Sequence, residues 1–200
     1  MKTQLLPGLS RFISSVAVGA LCSASAFAQL PATTAPGAPG AAAAPAQPLA
    51  MNDQTYLRAA IKSLYYQVQL ATAAKSLGDL NLARLRDETT KNLGAAMQSI
   101  TKIAQAHGEK VPTEVSGTDK VDYDRVIKAK PDKLAKEWTD ALAKEAKHLD
   151  HETATAEKTV QDPDLKTFIT NYGPSIRATF TSADAADKTQ KKLAGAPSRR

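Results

Sequence analysis

Glu145, His148, His151 and Glu152 are the residues of this 200-residue chain whose types and spacing come nearest to chemistry. Carboxylate with imidazole is the donor set that zinc, copper and non-haem iron take. A di-iron centre inside a helical bundle draws a Glu from each of two helices and a Glu-x-x-His from each of the other two, all pointing inward. Glu145-x-x-His148 is one such unit, and half of the set is missing. No His follows His151, and no Asp or Glu lies between Gln54 and Leu77.

The stretch that carries these residues is long and Pro-free, and its apolar or small positions Ala135, Trp138, Leu142, Ala146, Leu149, Thr153, Ala156 and Val160 recur three to four apart. That is one stripe of an amphipathic helix lying on a bundle. At roughly 100° per residue, His148 lies about 120° from the stripe, His151 nearly opposite it, and Glu145 and Glu152 at about 60° to 80°. The two imidazoles are therefore expected to face water. With Asp150 or Glu152 they form a candidate surface site for a divalent transition metal, and the simpler reading is a solvated His-Leu-Asp-His-Glu face. His107, beside Gly108, reads as a helix-end residue.

Other chemistries lack their parts. The single Cys22 lies in the leading segment, preceded by Leu21 where a lipidated cysteine follows a small residue, and no Gly-x-Ser-x-Gly elbow or phosphate-cradling Gly-rich loop is present. Tyr56, Tyr65, Tyr66, Tyr123 and Tyr172 sit at helical spacings that suit core and wall positions. The formal charge of +6 includes Lys2 and Arg11 of the leading segment, too mild a surplus to point to nucleic acid. Part of it is C-terminal, at Lys188, Lys191, Lys192, Arg199 and Arg200, a basic end suited either to solvent or to an anionic surface.

Residues 1–28 read as a secretory signal: Lys2 and Arg11, an apolar run from Phe12 to Leu21, and small residues at Ala26 and Ala28. The expected mature protein is periplasmic or secreted, without Cys, and no later run approaches the roughly 20 apolar residues that span a bilayer. Residues 29–49 are rich in Pro, Ala and Gly and uncharged, a composition for a disordered, semi-stiff linker.

From there the periodicity predicts four long helices within a domain over 50–190. The first starts at an Asn52 or Asp53 cap, runs to about Leu77 and stops at Gly78. The second runs from an Asp79 cap to about Ala106 and is closed by His107-Gly108. A short extra helix is expected over 122–128, and Pro131 starts the third long one. The turn Gln161-Asp162-Pro163-Asp164 opens the fourth, with Asp162 as cap and Pro163 in the first turn. A kink is expected where Gly173-Pro174 interrupts it. Residues 191–200 are expected to be a disordered basic tail. With short links and no strand alternation, the fold class is all-α, an up-down four-helix bundle.

Three stretches carry a resemblance: His107-Gly108-x-x-Val111-Pro112-Thr113-Glu114, Asp162-Pro163-Asp164-Leu165-Lys166-Thr167-Phe168, and Gly173-Pro174. Their order resembles the DUF4142 family, bacterial envelope proteins of ferritin-like fold, over about residues 52–188. The family pattern implies a Glu on helix one, an Asp-His pair on helix two, a His on helix three and a His after the Pro of helix four. Here the corresponding residues are Gln67 or Gln69, Asp87-Glu88, Ala146 (or His148 after a two-residue shift) and Thr179, so a site built on that pattern is largely lost. The expectation is a non-enzymatic binding or structural module without cofactor, its partner an envelope protein or anionic surface. The alternative is a ferritin-like metal or redox protein with a degenerate or surface site. Polar side chains from several helices are not expected to converge in the interior, apart from Thr89, Gln67 or Gln69 and a Tyr hydroxyl sharing hydrogen bonds.

Overall fold

The computed structural model describes residues 48–195, all within one packed unit. The expected signal segment and nearly all of the linker lie outside these residues. Five helices follow one another: α1 (Met51–Ala73), α2 (Leu80–Ala106), α3 (Gly117–Ile127), α4 (Pro131–Thr159) and α5 (Pro163–Gly195), with no strand among the described residues. The fold is all-α. No helix among the described residues is long and apolar enough to cross a membrane.

Each long helix packs on two others: α1 on α2 and α4, and α5 on α2 and α4, while α3 lies against α4 and α1. Two buried hydrogen bonds set α1 against α4. Tyr56 Oη lies 3.4 Å from Thr153 Oγ1, and Trp138 Nε1 donates to the Leu70 carbonyl at 3.2 Å. Residue numbers rise along α1 as they fall along α4, so the two run antiparallel. The sequence stripes point inward: Leu57, Ile61 and Leu64 on α1, Leu82, Leu85, Leu93 and Ile100 on α2, Trp138, Leu142 and Leu149 on α4, and Leu165, Phe168 and Ile176 on α5 are all buried. Burying a Leu, Ile or Phe side chain stabilises by about 1.5 to 3 kcal/mol, which makes these stripes the main source of order.

Local chemistry explains several helix ends. Asp79 Oδ1 accepts from the backbone N–H groups of Asn81 at 2.7 Å and Leu82 at 3.1 Å, and Asp162 Oδ1 does the same for Asp164 at 3.0 Å and Leu165 at 2.9 Å. At the end of α2, Gly108 takes φ 70°, and the N–H groups of Gly108 and Glu109 return to the carbonyls of Gln105 and Ala104. That left-handed step favours glycine.

Elsewhere the tertiary structure overrides the local reading. Helix α1 begins at Met51 without a side-chain cap. Asp53, expected to cap it, is buried and turned across to the α4–α5 turn. The helix also stops at Ala73, short of Leu77. Arg86 of α2 donates to the carbonyls of Ala74 at 3.4 Å and Lys75 at 3.2 Å, taking acceptors that another turn of helix would have used. The short extra helix starts at Gly117, five residues before the expected 122. It is held to α1 by Lys62–Asp119 at 2.9 Å and to α4 by Lys144–Asp122 at 2.7 Å.

Helix α5 runs through Gly173-Pro174 as one element. Pro174 is exposed, and so is Thr170, whose carbonyl loses the Pro174 donor; water can take the place of that bond. The helix also reaches Gly195, so residues 191–195, expected as part of a disordered tail, are helical. Lys191 explains part of this, because its ammonium pairs with Asp187 one turn back at 2.7 Å and with Asp140 of α4 at 3.1 Å.

Candidate functional site

The four residues singled out on α4 do not form an interior centre. His148 and His151 are exposed, as their angle to the stripe requires, while Glu145 and Glu152 are half-buried at its flanks. Glu88 of α2 is exposed as well. Among the described residues, no group of three or more metal-ligating side chains includes any of these.

Among the described residues, polar side chains also enter the core. The buried apolar side chains divide into two clusters, one ending at Leu64, Leu93, Leu149 and Ile176, the other starting at Tyr66, Leu85, Ala146 and Ala183. Thr89 of α2 and Thr179 of α5 fall between the two sets on their helices, and Gln67 of α1 follows Tyr66; all three are buried. The expected sharing of hydrogen bonds does not occur there. Gln67 Nε2 donates to Ser63 Oγ on its own helix at 3.3 Å, and Thr179 Oγ1 donates to the Ser175 carbonyl at 2.9 Å. Gln67 Oε1, Thr89 Oγ1 and the Tyr66 hydroxyl have no hydrogen-bond partner among the described residues. Side chains of this kind hydrogen-bond but do not exchange protons near neutral pH. Burial, aided by nearby Asp122 and Asp119, also pushes the Tyr66 hydroxyl well above its ordinary pKa.

A concave surface lies along α1. Glu109, just past the α2 glycine, accepts from Arg58 Nε at 2.8 Å, Arg58 Nη2 at 3.0 Å and Gln54 Nε2 at 2.7 Å. The Arg58 fork and then the Gln54 amide hold its carboxyl below the usual range. Four residues further on, the Tyr65 hydroxyl donates to the Thr113 carbonyl at 2.7 Å. These contacts strap residues 109–119 along α1 and leave a cleft of about 360 Å³ between them, lined by Arg58, Lys62, Tyr65, Tyr66, Lys110 and Pro112, among others. Its walls combine the aromatic faces of Tyr65 and Tyr66 with a rim of mixed charge, where Arg58 is paired with Glu109 and Lys62 with Asp119. The tyrosines read from spacing as wall and core residues do occupy such positions. Their alignment with the strap was not visible in the spacing.

Among the described residues one metal-ligating cluster does form, and none of its members belongs to the α4 set. His107, at the C-terminal end of α2, and Asp162 and Asp164, at the start of α5, each offer a donor atom within 4.8 Å of the others. His107 Nε2 lies 3.6 Å from Asp162 Oδ2. Each residue was legible on its own as a helix-end group, but the set was not, because 55 residues separate the imidazole from the nearer carboxylate. The available signal was topological: antiparallel packing of α2 on α5 puts the end of one beside the start of the other. Compared with family models, curated proteins and solved structures, the chain matches none.

Proposed function

We propose that this chain is an exported, non-enzymatic binding module of the bacterial envelope, similar to the DUF4142 family. In this reading the four long helices are an up-down, ferritin-like four-helix bundle with α3 as an outrigger, and the cleft along α1 receives an envelope protein. Residues 1–28 direct export to the periplasm or beyond. The pairwise packing of α1, α2, α4 and α5 and the resemblance of the His107-Gly108 and Asp162-Pro163-Asp164 stretches support the architecture.

The observation that carries the functional reading is the strap. Glu109 and Thr113 are bound to Arg58, Gln54 and Tyr65 by charge-assisted and neutral hydrogen bonds, so the cleft is held open by fixed contacts. A preformed concave surface with aromatic walls and a charged rim is the usual form of a recognition site. The interior, by contrast, holds amide and hydroxyl groups where a ferritin-like centre would need acids and imidazoles.

The test is photo-crosslinking in the native host with a probe amino acid at Lys62 or Tyr65, and at exposed Lys91 of α2 as control. A discrete adduct from the cleft positions that is absent at Lys91, recovered from the periplasmic fraction, is expected. Protein retained in the cytoplasm, or equal adduct patterns at all three positions, overturns the proposal.

A further inference from the structure

We propose that His107, Asp162 and Asp164 form a Zn²⁺-binding clip that joins the end of α2 to the α4–α5 turn, independently of whatever the α1 cleft binds. The donor set is one imidazole nitrogen and two carboxylate oxygens, which suits a divalent ion of the borderline class. His107 and Asp162 are both mostly buried, with 15% and 14% of their side chains exposed. Asp164 is exposed, and its carboxylate already lies within 4.8 Å of the other two donor atoms.

The His107–Asp162 distance is informative. Nε2 and Oδ2 lie 3.6 Å apart. Two ligands bound to one tetrahedral zinc at about 2.0 to 2.1 Å lie roughly 3.3 Å from each other. The pair is therefore spaced like an edge of a coordination tetrahedron, and closure requires a shift of a few tenths of an ångström.

The neighbouring groups hold that edge in place. Asp162 Oδ1 is engaged by the N–H groups of Asp164 and Leu165, which leaves Oδ2 turned toward His107. Behind the turn, the buried carboxylate of Asp53 accepts from the N–H groups of Gln161 at 2.8 Å and Asp162 at 3.0 Å, so the loop is anchored from inside the fold. Outer-shell hydrogen bonds of this kind orient metal ligands and raise affinity by about 10- to 100-fold. The positive end of α5 opposes a cation, but it amounts to roughly half a charge against two carboxylates. Three protein ligands leave one position for water, so the site is an open one.

The test uses the full exported chain purified without a polyhistidine tag, titrated with Zn²⁺ alone against a chromophoric chelator. One equivalent is expected to bind and to raise the melting temperature. X-ray absorption should give one imidazole nitrogen, with oxygens completing the shell. His107→Gln and Asp164→Asn should each weaken binding at least tenfold, while the His148→Ala/His151→Ala double variant binds as the parent does. Helicity and metal-free melting temperature are recorded for each variant, and Asp164→Asn, at an exposed residue, keeps the test decisive if His107→Gln folds poorly. Absence of a stoichiometric ion, or binding lost with His148 and His151 but kept in His107→Gln, overturns the proposal.

Discussion

Asp53 Oδ2 accepts the backbone N–H of Asp162 at 3.0 Å, across 109 residues of chain, while its Oδ1 takes the N–H of Gln161 at 2.8 Å. A carboxylate in the first turn of α1 thereby fixes the turn from which α5 starts, and Asp162, so fixed, caps α5 and faces His107. Hydrogen bonds to charged groups contribute about 1.5 to 3 kcal/mol each. Asp53→Ala removes two of them and leaves two N–H groups without this acceptor, so a loss of about 3 to 5 kcal/mol is expected in urea unfolding. A loss below about 0.5 kcal/mol, the range of an ordinary surface change, would show that the contact does not hold the turn.

Trp138 occupies the other end of the α1–α4 contact. It is fully buried, and its indole N–H reaches the Leu70 carbonyl, which also accepts the N–H of Ala74. Trp138→Phe deletes that bond and leaves a void where the second ring was, and a loss of about 2 to 4 kcal/mol is expected. Thermal unfolding followed by circular dichroism checks it. The same substitution should loosen the end of α1, visible as faster amide exchange at Ala73 and Ala74.

Thr89 should behave in the opposite way. Its hydroxyl is buried without a partner among the described residues, and burying such a group costs about 1 to 3 kcal/mol. Thr89→Val keeps the shape and removes the hydroxyl, so stabilisation by about 1 kcal/mol is expected. Thr153→Val is the comparison, because Thr153 is the partner of Tyr56 and its loss should destabilise. Destabilisation by Thr89→Val would mean that water within the core satisfies that hydroxyl.

The Tyr56 hydroxyl supplies a test on the alkaline side. Burial pushes it up to about 12, an effect reduced by the Thr153 hydrogen bond and reinforced by Glu157 and Glu152. A group whose pKa is higher folded than unfolded contributes stability that is complete below the unfolded value and disappears as pH rises through the folded one. Between pH of about 10, the unfolded tyrosine value, and about 12 the protein should lose on the order of 2 to 3 kcal/mol through this group. Tyr56→Phe should flatten that part of the stability curve, leaving the contribution of Tyr66, whose hydroxyl is raised in the same direction. An unchanged slope in Tyr56→Phe would show that this phenol ionises without unfolding.

The parts of the fold legible from sequence are those set by contacts within about one helical turn. The three-to-four spacing of Leu57, Ile61 and Leu64, or of Trp138, Leu142 and Leu149, determines which face is buried, because a side chain's direction on a helix follows from its position in the repeat. Asp79, Asp162 and Gly108 determine helix ends because each bonds to, or bends, backbone only a few residues away. The same rule places His148 and His151 in water, where both are exposed.

Only the tertiary structure decided what lies across from what. Asp53 has the sequence context of an N-cap, but it binds a turn 108 and 109 residues away. Arg86 shortens α1 from the neighbouring helix, and Lys191 extends helical order by pairing with Asp140 of α4. The strap over the α1 cleft and the meeting of His107 with Asp162 have the same origin. Each depends on how far one helix is rotated and shifted against another, and that is set by the packing of whole faces, to which no single spacing in the chain corresponds.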